Sequence, residues 1–183
     1  MHVVWHGEDD IIKLVLLGES GVGKSSLALR FVSNEFLHYT DATIGASYLS
    51  KAVDVSPNPI LPSGKVTFKI WDTAGQEKFH SLVPMYYRGA GAAILVFDIT
   101  RPQTLLSLQR WVDELRTNGP PDIILALCGN KADLAGDRRI SKEDAAEYAE
   151  DIGAFYMEVS AREATNVPEL FQDVAKRFTT LQG

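Results

Sequence analysis

Residues 18–25 read Gly18-Glu19-Ser20-Gly21-Val22-Gly23-Lys24-Ser25, between a short apolar run and a helical pattern that begins at Lys24. Glycines let a backbone wrap closely around phosphates, and the N–H groups of such a loop and of the following helix attract anions. At this spacing Lys24 would contact the β- and γ-phosphates, and the Ser25 hydroxyl would bind Mg²⁺. A glycine-rich turn without a ligand is the alternative, which the flanking strand and helix disfavour. The stretch predicts a nucleoside-triphosphate site with contacts from Ser20, Gly21, Val22, Gly23, Lys24, Ser25 and Ser26.

Outward from this stretch, short apolar runs alternate with longer amphipathic ones. The predicted strands are Ile12–Leu17, Ser47–Val55, Val66–Asp72, Ala92–Asp98, Ile123–Gly129 and Phe155–Val159. The predicted helices are Lys24–Asn34, Thr104–Thr117, Ser141–Ile152 and Val167–Leu181. Most strands are apolar throughout, which favours a parallel sheet covered by helices on both faces, whereas the second and third alternate like an antiparallel hairpin. The pattern predicts a doubly wound α/β fold with a six-stranded, mostly parallel sheet and one antiparallel edge strand.

The predicted domain organisation is a single unit over 1–183, with its core at about 11–181 and an N-terminal extension over 1–10. The segment 56–64 joins the hairpin strands and carries three prolines, so we expect an inserted surface loop there.

Composition excludes several classes of protein. The net charge is −6 and no cluster of Lys and Arg stands out, so nucleic acid is not an expected partner. No apolar run approaches the ~20 residues that span a bilayer. The single cysteine, Cys128, lies in an apolar run, so we expect a buried, unreactive thiol. This cysteine usage fits a cytoplasmic protein.

A second motif, Asp72-Thr73-Ala74-Gly75-Gln76, ends an apolar strand. An acidic residue there is placed to hold Mg²⁺. The N–H of Gly75 can approach a γ-phosphate because no side chain intervenes, and Gln76 can orient an attacking water. Considered alone, an aspartate at a strand end such as Asp72 is more often a residue that forms a turn. Because the phosphate loop is also present, we favour the Mg²⁺-binding interpretation.

Two more motifs follow later strands, at Asn130-Lys131-Ala132-Asp133 and at Ser160-Ala161-Arg162. A carboxylate at Asp133 can accept two hydrogen bonds from guanine, whereas adenine lacks that donor pair. The Ala161 N–H could donate to the guanine carbonyl. Because ligands of open α/β sheets bind at the carboxyl ends of the strands, these loops are expected to converge at one edge.

With these motifs, the chain resembles the Rab family of Ras-superfamily small GTPases, from about Ile12 to Phe178. Trp71-Asp72-Thr73-Ala74-Gly75-Gln76-Glu77 and Tyr86-Tyr87-Arg88-Gly89 are typical of Rab proteins. Similarity to the branch that acts at early endosomes lies in Thr43-Ile44-Gly45-Ala46-Ser47 and Phe79-His80-Ser81-Leu82.

The resemblance implies that Thr43 binds Mg²⁺ and senses the γ-phosphate, and that Phe36 packs against guanine. Without the resemblance, Thr43 would be interpreted as an ordinary loop threonine, and Phe36 as a residue at the end of the apolar face of a helix. Arg162 stands where the family usually has lysine. We expect little change from that substitution, because the neighbouring contact is a backbone N–H.

An effector-facing aromatic triad is also implied, at Tyr48, Trp71 and Tyr86. Core packing is the alternative interpretation. Strand alternation argues against it, because Tyr48 lies on the face of its strand away from Leu49 and the other apolar residues, and Trp71 lies on the face of its strand away from its apolar residues. The implied effector surface consists of Ile44, Gly45, Tyr48, Trp71, Phe79, Leu82 and Tyr86.

The function implied is a GTP/GDP switch with slow intrinsic hydrolysis that regulates vesicular, endosomal trafficking. Gln76 would orient the water, and Lys24 and Mg²⁺ would neutralise developing charge. No arginine finger is evident, so a GTPase-activating protein is expected, together with effector proteins, an exchange factor and a GDP-dissociation inhibitor. The chain is expected to be a monomer. Rab proteins usually reach the cytosolic face of membranes through prenylated C-terminal cysteines, and this sequence has none there.

Two alternatives from other classes stay open. A P-loop kinase or ATPase would need a lid or an acceptor site, and it would leave Asn130–Asp133 unexplained. A module that binds nucleotide without turnover would not need Gln76.

Overall fold

The computed structural model describes residues 10–37, 46–55, 64–73 and 83–182. Across these residues the chain forms a six-stranded sheet in the order β2-β3-β1-β4-β5-β6. All neighbouring strands are parallel except β2, which pairs antiparallel with β3 at the edge. The strands are β1 (Asp10–Leu17), β2 (Ala46–Asp54), β3 (Lys65–Thr73), β4 (Ala92–Asp98), β5 (Ile124–Asn130) and β6 (Phe155–Glu158). The predicted fold class is confirmed, with strand ends that differ by one or two residues.

Helices cover both faces of this sheet. They are α1 (Lys24–Ser33), α2 (Val83–Tyr87), α3 (Pro102–Leu106), α4 (Leu108–Asn118), α5 (Lys142–Ile152) and α6 (Val167–Gln182), with a 3₁₀ segment at Ala132–Asp137. One core packs α1 and α6 on the sheet, where Phe31 and Phe171 stack with ring centroids 3.7 Å apart. The other core packs α4 and α5 on the opposite face around Trp111. Every residue of β4 is buried, as the apolar run Ala92–Phe97 predicted, and Asp98 at its end is buried as well.

One predicted helix was wrong in its bounds. The stretch expected at Thr104–Thr117 begins at Pro102, which suits a first helical position, and is divided into α3 and α4 at Ser107. Ser107 keeps helical angles (φ −67°, ψ −18°), and its hydroxyl donates to the Thr104 carbonyl at 3.1 Å. The division is therefore slight. The short helix α2 and the 3₁₀ segment were not predicted.

The edge hairpin confirms the predicted alternation of faces. Val66, Phe68 and Ile70 of β3 are fully buried in the core beneath α1 and α6. Trp71 packs against the opposite core. The hairpin is closed where the Val55 N–H donates to the Gly64 carbonyl at 2.8 Å. The rest of the predicted insertion, 56–63, lies outside the described residues.

The predicted buried thiol is confirmed. Cys128 has no solvent exposure, and burial raises the pKa of its thiol, so it stays protonated and inert. Among the described residues, no helix is both long enough and apolar enough to cross a bilayer.

Candidate nucleotide-binding site

The loops after β1, β4, β5 and β6 meet at the carboxyl edge of the sheet. Asn130, at the end of β5, contacts both the loop after β1 and the loop after β6. Lys131 reaches Gly21 and also pairs with Asp98 at the end of β4. The predicted convergence is therefore present for the motifs after β1, β5 and β6, and the end of β4 joins them although no motif was predicted there. Of the motif after β3, only Asp72 and Thr73 are described, and Asp72 contacts Ser25. The convergence follows from parallel pairing, which brings all these strand ends to one edge.

The loop 18–25 has the backbone that its glycines predict. Gly21 and Gly23 have φ of 83° and 98°, in the region that disfavours residues with a Cβ. A Cβ on Gly23 would stand 2.3 Å from the Nδ2 of Asn130, so the loop also needs glycine for space. Gly23 is the N-cap of α1 and has no side chain to accept from the first N–H groups of the helix. The loop and helix start therefore have the form of an anion site.

Lys24 is buried within this loop, with 6% of its surface exposed. Its Nζ donates to the carbonyls of Gly18 at 2.8 Å and Glu19 at 3.0 Å, which holds the amine across the loop. Burial lowers the pKa of Lys24 to about 8, although the charges of Asp72 and Glu19 oppose the shift. Lys24 is therefore a cation that is close to losing its proton at mildly alkaline pH.

This pKa predicts a pH-dependent affinity. A bound phosphate favours the charged amine, so nucleotide binding takes up a proton above pH 8, and affinity falls as pH rises through that value. From pH 7 to pH 9 we expect the Kd for GDP to rise about tenfold, as measured by calorimetry in buffers of different ionisation enthalpy. GMP shares the ionisation of guanine but has no β-phosphate, so it is the control. Equal affinity for GDP at both pH values would contradict the assignment.

Ser25 and Asp72 form the candidate Mg²⁺ site. The Ser25 hydroxyl donates to Oδ2 of Asp72, which joins the start of α1 to the end of β3. Among the described residues, the buried Oδ1 of Asp72 has no hydrogen-bond partner. Burial raises the pKa of Asp72, with the Ser25 hydrogen bond and the Lys24 charge acting in the opposite direction. Hydroxyl and carboxylate oxygens with an unsatisfied buried acceptor fit the hard-oxygen preference of Mg²⁺.

Asn130 ties three segments together from a position that is 2% exposed. Its Nδ2 donates to the Val22 carbonyl at 2.9 Å, and its Oδ1 accepts from the Ala161 N–H at 3.2 Å. Sequence reasoning placed Asn130 and Ala161 beside the base, but it missed the bond to the phosphate loop. A guanine carbonyl near Ala161 would share the Ala161 N–H with Oδ1 of Asn130 or replace that oxygen as its acceptor.

Asp133 and Ser160 are brought together as the sequence predicted. The Ser160 hydroxyl donates to Oδ1 of Asp133 at 2.7 Å and accepts from the N–H of Glu163 at 3.0 Å. Arg30 of α1 reaches the same loop, donating to the carbonyls of Ala161 and Arg162 at 2.8 Å each. The loop 160–162 is therefore held by hydrogen bonds from Arg30 of α1 and by the bond to Asn130 at the end of β5.

Lys131 links the phosphate loop to the end of β4. Its Nζ donates to the Gly21 carbonyl and pairs with Oδ2 of Asp98, both at 2.8 Å. Asp98 is buried, which opposes ionisation, yet Lys131 and Thr100 together hold the pKa of its carboxyl below the ordinary value. Asp98 was not among the predicted site residues, although its place at a strand's carboxyl end was the available signal.

The aromatic surface predicted for effectors is partly described. Tyr48 and Trp71 are directly opposite on β2 and β3, and their ring centroids are 5.1 Å apart. Tyr48 is 48% exposed, and the Nζ of Lys13 lies 5.7 Å from the Trp71 ring centroid. Phe36, predicted to contact guanine, lies after the end of α1 and is half-buried against the core.

The remaining predicted site residues lie outside what the structure describes. These are Thr43, Ile44, Gly45, Gly75, Gln76, Phe79 and Leu82. Tyr86 belongs to α2, but its side chain is not described. Their roles stay predictions.

Comparison with known proteins agrees with this geometry. The profile of the Ras family matches residues 13–180. The chain is 51% identical over 170 residues to the Ras-related protein Rab5 of Nicotiana tabacum, which covers 93% of this chain and 82% of the relative. It is 50% identical to the Ras-related protein RABF2a of Arabidopsis thaliana, with the same coverage. It is also 50% identical to the Ras-related protein Rab5A of Oryza sativa subsp. japonica, over 93% of this chain and 80% of the relative.

The fold and site define a guanine-nucleotide-binding P-loop protein, and the chain belongs to the Ras family. It is a small GTPase of the Rab type, and it hydrolyses GTP as members of that family do.

Proposed function

We propose that the chain is a Rab-type switch in endosomal trafficking and that the loops described above hold GTP or GDP with Mg²⁺. The observation that carries this is the link through Asn130, which joins the phosphate loop to the loop at Ala161. A site for phosphate alone would not need that link. Asp133, held by Ser160, would accept from guanine, and Lys131 would keep the phosphate loop in register.

The residues have distinct tasks in hydrolysis. Lys24 holds positive charge beside the phosphates, and Gln76 orients water for in-line attack on the γ-phosphate. Ser25, Thr43 and Asp72 would hold Mg²⁺, which supplies further positive charge against the phosphate oxygens. Without a partner's arginine, turnover is slow, on the order of 10⁻⁴–10⁻³ s⁻¹, so an activating protein sets the lifetime of the GTP state.

Partners would read the nucleotide state on the hairpin surface. Tyr48 and Trp71 form an aromatic pair on the face of β2 and β3 that is turned away from α1 and α6, and such a pair suits a protein interface. Effectors would bind there together with Ile44, Gly45, Phe79, Leu82 and Tyr86 in the GTP state. An exchange factor and a GDP-dissociation inhibitor would act on the GDP state, and attachment to endosomal membranes would need a lipid anchor.

The first test is the nucleotide that purified protein releases on denaturation, separated by chromatography. We expect GDP or GTP, and we expect GDP to compete with the fluorescent nucleotide where ADP does not. Release of ADP or ATP would favour the kinase or ATPase alternative instead.

The second test is Gln76→Leu in a single-turnover GTP hydrolysis assay. We expect the rate to fall at least tenfold, and up to about a hundredfold, because misplacement of the attacking water is costly. Nucleotide affinity should stay unchanged, since Gln76 acts on water. Gln103→Leu makes the same chemical change at an exposed position of α3 and is the control. An unchanged rate in Gln76→Leu would mean that Gln76 does not orient the attacking water, whereas no turnover in the wild-type protein would favour a module that only binds nucleotide.

A further inference from the structure

Arg101 lies beside the phosphate loop and has no role in the function described so far. Its Nη1 is 3.4 Å from the point where a Cβ on Gly21 would stand. Its Nη2 is 3.8 Å from Oε2 of Glu19, within the same loop. Sequence reasoning found no arginine near the site, because Arg101 is about eighty positions away along the chain. The fold brings its guanidinium to the loop that wraps the phosphates.

The backbone of Arg101 is held firmly in place. Arg101 lies three residues after the end of β4 at Asp98 and is the N-cap of α3, directly before Pro102. Its N–H donates to the Asp98 carbonyl at 3.0 Å, and its own carbonyl accepts from the Thr104 hydroxyl at 2.7 Å. Asp98 in turn pairs with Lys131, which donates to Gly21. Hydrogen bonds to Asp98 therefore help to position both Arg101 and Lys131 beside Gly21.

The side chain of Arg101, in contrast, has a loose partner. A distance of 3.8 Å to a carboxylate oxygen is too long for a hydrogen bond, and 41% of the side chain is exposed to solvent. Lys131 is bound closely by Asp98, and Lys24 is fixed by two carbonyls. Arg101 can therefore turn toward a stronger anion without breaking a tight contact. Phosphate is such an anion, since its several oxygens accept from a guanidinium in paired geometry.

Glu19 gives this arrangement a second consequence. It places a negative charge in the phosphate loop, where that charge opposes an incoming polyphosphate. The positive charge of Arg101 partly neutralises the carboxylate of Glu19 in the structure. When nucleotide binds, the Arg101 guanidinium would leave Glu19 and contact the phosphate instead.

We propose that Arg101 is a phosphate-binding residue of this site. When nucleotide binds, the Arg101 guanidinium moves from Glu19 to the β- or γ-phosphate, and this contact slows nucleotide release. The inference rests on the proposed nucleotide site and adds to it a cation from the loop after β4. Its effect should grow with phosphate charge, because the interaction is electrostatic.

The test is the dissociation rate and Kd of fluorescent GDP and of a non-hydrolysable GTP analogue, with GMP for comparison. In Arg101→Gln we expect GDP and the analogue to bind about fivefold more weakly, GMP to change little, and the dependence of log Kd on log salt to become less steep. Arg101→Lys should restore part of the affinity. Arg116→Gln, an exposed arginine in the last turn of α4, is the matched control and should leave all values unchanged.

Several outcomes would overturn the proposal. An equal loss for GMP, GDP and the analogue would mean that Arg101 only maintains the loop. Full recovery in the double variant Glu19→Gln/Arg101→Gln would mean that it acts only by neutralising Glu19. Wild-type affinity in Arg101→Gln would remove Arg101 from the site while leaving the nucleotide site intact. Failure of the wild-type protein to bind GDP would instead contradict the proposed function.

Discussion

Replacing Asn130 with alanine should weaken GDP binding by a factor on the order of 10²–10³ and should also destabilise the nucleotide-free fold. The side chain is buried and pairs with the Val22 carbonyl and the Ala161 N–H. Alanine leaves both backbone groups without this partner, and an unsatisfied buried group costs about 1–3 kcal/mol. The phosphate loop and the loop 160–162 would then have to be ordered by the nucleotide itself, which reduces affinity.

Stability and binding can be measured separately for this variant. Thermal unfolding of the nucleotide-free protein should shift down by about 2–4 °C for each kcal/mol lost, for a chain of this size. Asn166→Ala is the matched control, since its amide donates to the Glu158 carbonyl at 3.0 Å and does not contact the phosphate loop. It should lose some stability with little effect on GDP affinity. If Asn130→Ala kept wild-type affinity, the link between the two loops would not matter for binding.

Asn130→Asp separates the two bonds of the asparagine. The carboxylate keeps an acceptor for the Ala161 N–H but sets a second acceptor against the Val22 carbonyl, 2.9 Å from the present amide nitrogen. Two facing acceptors repel, so we expect the affinity to be no better than in Asn130→Ala. This result would show that the bond to the phosphate loop contributes more than the bond to Ala161.

The fold was predictable because its strongest signals are local and repeated. The apolar run Ala92–Phe97 indicated a strand buried on both faces, and the structure has that strand at the predicted bounds, Ala92–Asp98. The alternation in β2 and β3 correctly separated Tyr48 from the apolar face. The division at Ser107 could not be predicted, because its backbone angles stay helical and no glycine or proline marks it.

The site was predictable where residues directly follow strands, and not where partners come from distant segments. The rule that strand ends meet at one edge was enough for Asn130, Asp133 and Ser160. It gave no reason to choose Arg30, which donates across 131 residues to the Ala161 carbonyl. Arg101 was missed for the same reason: its contact with the loop depends on how α3 begins after β4. Such contacts depend on tertiary packing, for which a single sequence has no periodic signal.

Replacing Asp133 with asparagine should transfer specificity from guanine to xanthine nucleotides. Oδ1 of Asp133 accepts from the Ser160 hydroxyl at 2.7 Å, so one side of the carboxylate has a fixed orientation. In the variant the amide oxygen can keep that bond, which directs the amide nitrogen to the place of the other oxygen. A donor there opposes the exocyclic amine of guanine but pairs with the C2 carbonyl of xanthine.

The expected change is large because both bases are affected in opposite directions. A site built to hydrogen-bond a ligand group rejects an analogue that lacks it by a factor on the order of 10⁴–10⁵, so the ratio of Kd for GDP to Kd for XDP should rise by about that factor. Competition of GDP and XDP against a fluorescent nucleotide measures this ratio. Asp137→Asn removes the same charge at the end of the same 3₁₀ segment and should leave the ratio unchanged, which excludes a general charge effect. If Asp133→Asn bound GDP and XDP in the wild-type ratio, Asp133 would not read the base, and the Ala161 N–H would have to supply the guanine specificity.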